Sequence, residues 1–238
     1  ELGFGIAQIE DRYFQNNVID FDKDKYDKSG YRLFGGSVSF NGSTLNSRQF
    51  PIQGAREALV AQIFTGNESF RPGVNSENKK PVKEKHSWLQ LSYMKEKYHK
   101  MGANWILGWY LDAVYASKNF SENYTATMMQ ASEFAPTAHS KLTYNEAFRA
   151  NQYVAAGIRP IYRLNQMFHV RGEFYGFLPI FPIERNSINK AYYGKAFSRF
   201  EYLGEISVVC QLPFGAISAY VNHYSSPRRE WNVGLTLG

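Results

Sequence analysis

The sequence holds a single cysteine, Cys210, in 238 residues, so no intramolecular disulfide framework can form. Cys210 is read as a small apolar side chain. Nor does any apolar run reach the ~18 residues that a membrane-crossing helix needs. The longest, Gly176 to Ile183, is short and carries Pro179 and Pro182. Charge is sparse: Asp, Glu, Lys and Arg make up 20% of residues, and 27 basic against 21 acidic side chains leave a net +6. The basic residues are scattered. The densest stretch, Lys79-Lys80 through Lys85, lies in a polar segment with a proline and reads as a solvated loop. A nucleic-acid partner is therefore not expected. Catalytic signatures are also missing. There is no G-x-S-x-G elbow, no H-E-x-x-H, no paired C-x-x-C and no glycine-rich phosphate loop. No catalytic residue, metal or cofactor is assigned.

Aromatic residues are abundant, at 16%, with 17 Tyr and 18 Phe. The spacing of apolar residues sets the fold class, and it has a period of two. Trp105, Leu107, Trp109, Leu111, Ala113 and Tyr115 alternate with a mixed set that includes Asp112. Phe200, Tyr202, Gly204, Ile206, Val208, Cys210 and Leu212 alternate with a set carrying Glu201 and Glu205. Phe168 to Leu178 and Trp231 to Gly238 behave alike. Less regular candidates are Leu2–Glu10, Tyr31–Asn41, Ala55–Thr65, Ser87–Tyr98, Asn151–Leu164 and Gly215–Tyr224. About ten strands result, most of them ~9–14 residues long, where soluble strands average ~5–6. A tilted bilayer-crossing strand needs ~9–11.

The connections alternate in length. Met101-Gly102, Asn165 and Pro213-Phe214-Gly215 make short turns, and Asp11–Gly30, Gly66–His86, Lys118–Ala150 and Pro179–Ser198 make long polar loops. That asymmetry describes an outer-membrane β-barrel, with aromatics near strand ends at the two headgroup levels. In hydrocarbon every backbone N–H and C=O must be paired, and only closure removes free edges. The apolar faces then meet lipid, and the charged faces line a lumen. There Asp112, Arg159, Arg163, Arg171, Glu201 and Glu205 are expected to form an ion-pair network, alongside His169 and Glu173. Glu201 and Glu205 share a face, but a lumen ion pair fits them better than acid/base work. The dispersed histidines, His86, His99, His139, His169 and His223, read as rim or lumen side chains.

Two segments carry a family resemblance. Thr44–Gly54 (Thr-Leu-Asn-Ser-Arg-Gln-Phe-Pro-Ile-Gln-Gly) is similar to the Asn/Asp…aromatic-Pro-x-x-Gly turn of the bacterial surface antigen superfamily. Phe148-Arg149-Ala150-Asn151-Gln152-Tyr153 lies where those barrels carry an Arg-Gly-aromatic loop folded inside, with Ala150 replacing the usual Gly. Five predicted strands follow it. One contains Arg171-Gly172-Glu173-Phe174-Tyr175, similar to the acidic position that holds the loop arginine. The resemblance implies one pair, Arg149 to Glu173. Gly73-Val74, His86–Gln90, Ala131–Pro136 and Phe148–Pro160 bring the chain nearest to the C-terminal barrel of Bacteroidetes-type patatin-like phospholipases.

That likeness implies an N-terminal lipase domain, a small linking domain and a barrel of 16 strands. The chain would then be one barrel domain, residues 1–238, from the C-terminal part, and both ends read as cut from a longer chain. It would anchor or translocate a lipid hydrolase without performing the hydrolysis. The implied partners are outer-membrane lipid, the passenger domain and a second copy of the chain. An assembly or secretion barrel is the alternative, distinguished by tandem small upstream repeats. A diffusion pore or ligand-binding barrel and a soluble β-sandwich binding module are further readings; only the sandwich would be monodisperse without detergent.

Overall fold

A computed structural model describes residues 1–14, 26–74, 76, 80–226 and 231–237. The chain is all-β. Ten strands form one antiparallel sheet: β1 (Leu2–Tyr13), β2 (Asp27–Ser43), β3 (Gly54–Arg71), β4 (Val82–Lys100), β5 (Trp105–Ala116), β6 (Gln152–Arg163), β7 (Phe168–Pro179), β10 (Glu201–Leu212), β11 (Gly215–Tyr224) and β12 (Trp231–Leu237). Each pairs with the next. The one skip runs from β7 to β10, over a small hairpin of β8 (Ile183–Arg185) and β9 (Ala191–Tyr193). Among the described residues no helix is long and apolar enough to cross a membrane. At the sheet's two edges, β1 pairs only with β2 and β12 only with β11 among those residues.

All ten strands expected from the period of two are present, and the middle ones are longer than expected. β3 runs 18 residues and β4 runs 19, well beyond the ~9–11 a bilayer crossing uses. Their extra length takes in Gly66–Arg71 and Val82–His86, which the polar composition had assigned to a loop. Lys83, Glu84 and Lys85 are thus strand residues, while Lys79 lies outside the described residues. Cross-strand pairing overrides local polarity here, because β2 and β3 stay in register as far as Lys28 opposite Arg71. The loop expected over Asp11–Gly30 shrinks for the same reason, and its residues 15–25 lie outside the described set.

The two faces differ as the alternation requires. Tyr202, Ile206 and Val208 of β10 are exposed, while Glu201, Leu203, Glu205, Ser207 and Val209 between them are buried. The exposed face continues through Ile6, Phe34, Ile63, Phe174 and Leu235, and no second sheet covers it among the described residues. Ile206 is 53% exposed and Leu235 75%. The greasy face therefore points outward, and the charged face is the one that is covered.

Its cover is the β5–β6 connection, residues 117–151. Phe134, Ala147, Phe148 and Ala150 pack on Val114, Tyr153, Phe177, Leu203 and Tyr224 of the sheet. This connection holds a helix, α1 (Tyr124–Gln130), that no periodicity announces, because seven residues give too few turns. Asn123 caps it, its Oδ1 accepting from the Ala126 N–H at 2.8 Å.

Candidate functional site

The covered face carries one compact cluster of ion pairs at its centre. Strand alternation sets Glu96 and Tyr98 of β4 on the same side as Arg159 of β6 and Arg171, Glu173 and Tyr175 of β7. Arg159 Nη1 donates to Glu96 Oε2 and, at 2.6 Å, to the Tyr98 hydroxyl; its Nε donates to the Tyr175 hydroxyl at 2.7 Å. The same Nε lies 3.6 Å from Glu173 Oε2. Arg171 Nε donates to Glu173 Oε1, and its Nη2 donates to Tyr98 at 2.9 Å. The Tyr175 hydroxyl donates to Glu173 Oε2. Two guanidinium groups thus face two carboxylates, so the enclosed charge sums to zero. All six residues are buried. A buried ion cluster of this kind adds little net stability over an apolar core, but removing one member leaves an uncompensated charge.

The cluster also holds a turn inside. Arg171 Nη1 donates to the Pro51 carbonyl at 2.8 Å, across 120 residues of sequence. Pro51 belongs to the β2–β3 turn, residues 44–53, whose Leu45 and Ile52 pack on Tyr98, Ile106 and Ile161. Asn46 Oδ1 ties the turn, accepting from the N–H groups of Ile52 (3.0 Å) and Gln53 (2.9 Å). Phe50 and Gly54 take positive φ, 49° and 94°. A Cβ on Gly54 would fall 2.1 Å from the Thr44 carbonyl oxygen, so only glycine fits there. The resemblance singled out this segment as a turn; its fold back under the sheet is new.

Arg149 does not meet Glu173. Its Nη2 donates to Glu133 at 2.8 Å, and its Nη1 donates to the carbonyls of Met129 (3.1 Å) and Ala131 (3.2 Å), at the C-terminal end of α1. Arg149 therefore closes the long connection on itself. Glu173 is already saturated by Arg171, Arg159 and Tyr175, and β6 begins only three residues after Arg149, which fixes where that side chain can reach.

The remaining expected network residues separate. Asp112 accepts from the Tyr110 hydroxyl at 3.1 Å. Arg163 donates to the Ala103 carbonyl at 3.0 Å, at the short-turn rim. Glu201 pairs with Arg199 at 2.8 Å, and Glu205 accepts from Asn222 at 3.4 Å. Of the six, only Arg159 and Arg171 share one cluster, with Glu173. Glu96 and Tyr98 were missed, although their spacing of two on a predicted strand was the available signal. His169 is buried on the same face, and His139 Nδ1 lies 2.8 Å from the Tyr224 hydroxyl.

A second polar group lies toward the long-loop end. Glu68 Oε2 is 2.8 Å from His86 Nε2, and the Tyr31 hydroxyl lies 2.9 Å from Ser121 Oγ. Asn123 donates to the Tyr13 hydroxyl at 2.8 Å, and Gln130 to Asp11 at 2.7 Å. Lys118 Nζ lies 4.8 Å from the centre of the Trp88 ring. Burial pushes the Lys118 ammonium down to about 8, opposed by the negative charge of Glu68 and Asp11. The first part of the 117–151 connection is thus tied to β1–β4, and the second part to β5–β11. The connection bridges the covered face from side to side. A cavity of about 1020 Å³ lies at the long-loop end of β1–β4, lined largely by polar side chains of the uncovered face, among them Lys28, Arg32, Arg71 and Lys85. No protein-family model matches this sequence, and no curated protein matches it.

Proposed function

We propose that the chain is the wall of an outer-membrane β-barrel that serves as an anchor, its outer face wetted by lipid. One observation carries this reading: a belt of exposed apolar side chains, including Phe4, Phe34, Ile63, Ile206 and Leu235, backs onto a face with buried Arg159, Arg171 and Glu173. In water such a belt would be an aggregation surface, far larger than the patches soluble monomers tolerate. In lipid it is the favourable arrangement. Among the described residues β1 and β12 each have one unpaired edge; hydrocarbon requires such edges to be paired, and on this reading further strands of a 16-stranded barrel do so.

Within that barrel the 117–151 connection, which packs across the covered face, and the β2–β3 turn would obstruct the lumen. An obstructed lumen favours a tether over a free diffusion pore. The resemblance to patatin-like phospholipase barrels gives the tethered group: an upstream lipid hydrolase, which supplies the catalysis.

The test is fractionation and reconstitution of the full protein. It should remain in the outer-membrane fraction after carbonate or urea washing. Purified in detergent, it should migrate faster unboiled than boiled, and in planar bilayers it should show no steady ion conductance. A monodisperse, detergent-free protein, or a large stable conductance, would overturn the membrane reading and the anchor reading respectively. An upstream region of tandem small repeats, without a serine hydrolase motif, would replace the anchor with an assembly barrel.

A further inference from the structure

We propose that Glu68, Glu84 and His86 form a divalent-cation site of the zinc class at the long-loop end of β3 and β4. The inference does not depend on the membrane reading.

The ladder register places the three side chains together. Glu68 stands directly opposite Glu84, and Gly66 directly opposite His86, so both pairs project from one face of the hairpin. One ligand atom from each of Glu68, Glu84 and His86 lies within 4.8 Å of the other two. Gly66 opposite the imidazole adds no side chain to compete for that space.

Two carboxylates directly opposite on one sheet face repel, and such a pair is destabilising unless a cation joins it. Glu68 has partial compensation. It accepts from the Tyr31 hydroxyl and the Glu122 N–H, both at 3.3 Å, and Lys118 is its charged neighbour. Glu84 forms no ion pair among the described residues, because Lys83 and Lys85 alternate to the other face. A cation between the two carboxylates removes the conflict.

The imidazole gives a second, independent pointer. His86 is 4% exposed, Nε2 lies against Glu68, and the buried Nδ1 has no hydrogen-bond partner. A buried polar nitrogen without a partner costs free energy unless something else occupies it. The donor set also selects the ion. One imidazole nitrogen and two carboxylates suit zinc and its neighbours, whereas calcium and magnesium take oxygen alone. Three protein donors leave a position for water. Glu84 is exposed and can move to complete the site. A metal there would staple β3 to β4 beside the connection that fills the covered face.

The test uses the full protein in detergent, stripped with chelator, then titrated calorimetrically with Zn²⁺ and, separately, with Ca²⁺. Co²⁺ provides a spectroscopic probe through its visible d–d bands. One high-affinity Zn²⁺ should bind per chain, with Ca²⁺ at least tenfold weaker. Glu84→Gln, at an exposed position that leaves folding intact, should weaken that binding by at least tenfold. His86→Gln should abolish it and the cobalt bands. Glu57→Gln, at the opposite end of β3, serves as the control and should change nothing. Equal affinity for Zn²⁺ and Ca²⁺, zinc binding that Glu84→Gln leaves unchanged, or no binding at ~0.1 mM Zn²⁺, where a structural site would be saturated, overturns the proposal.

Discussion

The substitution Ile206→Arg tests the medium around the sheet. Ile206 lies on the exposed face of β10, opposite Gly172 of β7 and Val221 of β11. It is five positions from the start of that strand at Glu201 and six from its end at Leu212. At ~3.3 Å per residue, those are ~17 Å and ~20 Å along the strand. In the proposed barrel, with a strand tilt of ~40°, Ile206 would fall close to the bilayer midplane. An arginine there costs ~2–4 kcal/mol, falling to ~0–1 kcal/mol near the interfaces. The folding equilibrium should therefore shift by between about 30-fold and about 700-fold. The same change on a water-exposed sheet face stays within ~0.5 kcal/mol. The assay is reversible urea unfolding in lipid vesicles, followed by tryptophan fluorescence. Phe214→Arg, in the turn after β10, is the interfacial control and should cost little. If Ile206→Arg and Phe214→Arg cost the same small amount, the depth dependence is absent and lipid does not wet this face.

Arg171→Ala leaves Glu173 buried with the Tyr175 hydroxyl and the longer contact to Arg159 as its partners, and frees the Pro51 carbonyl. A loss of ~3–5 kcal/mol is expected in the same unfolding assay, and pairing it with Glu173→Leu should recover part of that loss; equal single and double losses would show that the ion pair is not the cause. Arg149→Ala should open residues 137–145 to limited proteolysis, as should Glu133→Gln, while Glu173→Gln should leave that cleavage unchanged. A protection pattern that follows Glu173 would restore the pairing the family resemblance implies. Lys118 gives a pH signature with a definite sign. Its pKa falls from the ordinary lysine value to about 8 in the folded protein, so between pH 8 and ~10.4 the unfolded chain binds more protons. Stability should therefore rise with pH across that window, and Lys118→Met should flatten the rise; an unchanged slope in the variant assigns the effect elsewhere.

The strands and their facing were legible because β alternation is local. A side chain two residues on lies on the same face whatever the rest of the chain does. Tyr202, Ile206 and Val208 therefore declared themselves against Glu201 and Glu205. Strand ends were less legible: Gly66–Arg71 and Val82–His86 look like loop until β2 supplies a partner for β3. The small helix at Tyr124–Gln130 was too short to mark itself. The partners of the charged residues were not legible at all. Arg159 meets Glu96 across 63 residues, and Arg171 meets Pro51 across 120. Arg149 turns to Glu133 and leaves Glu173 to other cations. Of Glu68, Glu84 and His86 only the last two, spaced by two on β4, share a face by spacing alone; the hairpin register brings Glu68 to them. The sequence by itself determined that this is an antiparallel sheet with one greasy and one charged face. Only the tertiary structure decided which charges meet. Period and propensity act over a few residues, whereas ion pairing requires atoms within a few ångströms, and strand order and register alone bring them there.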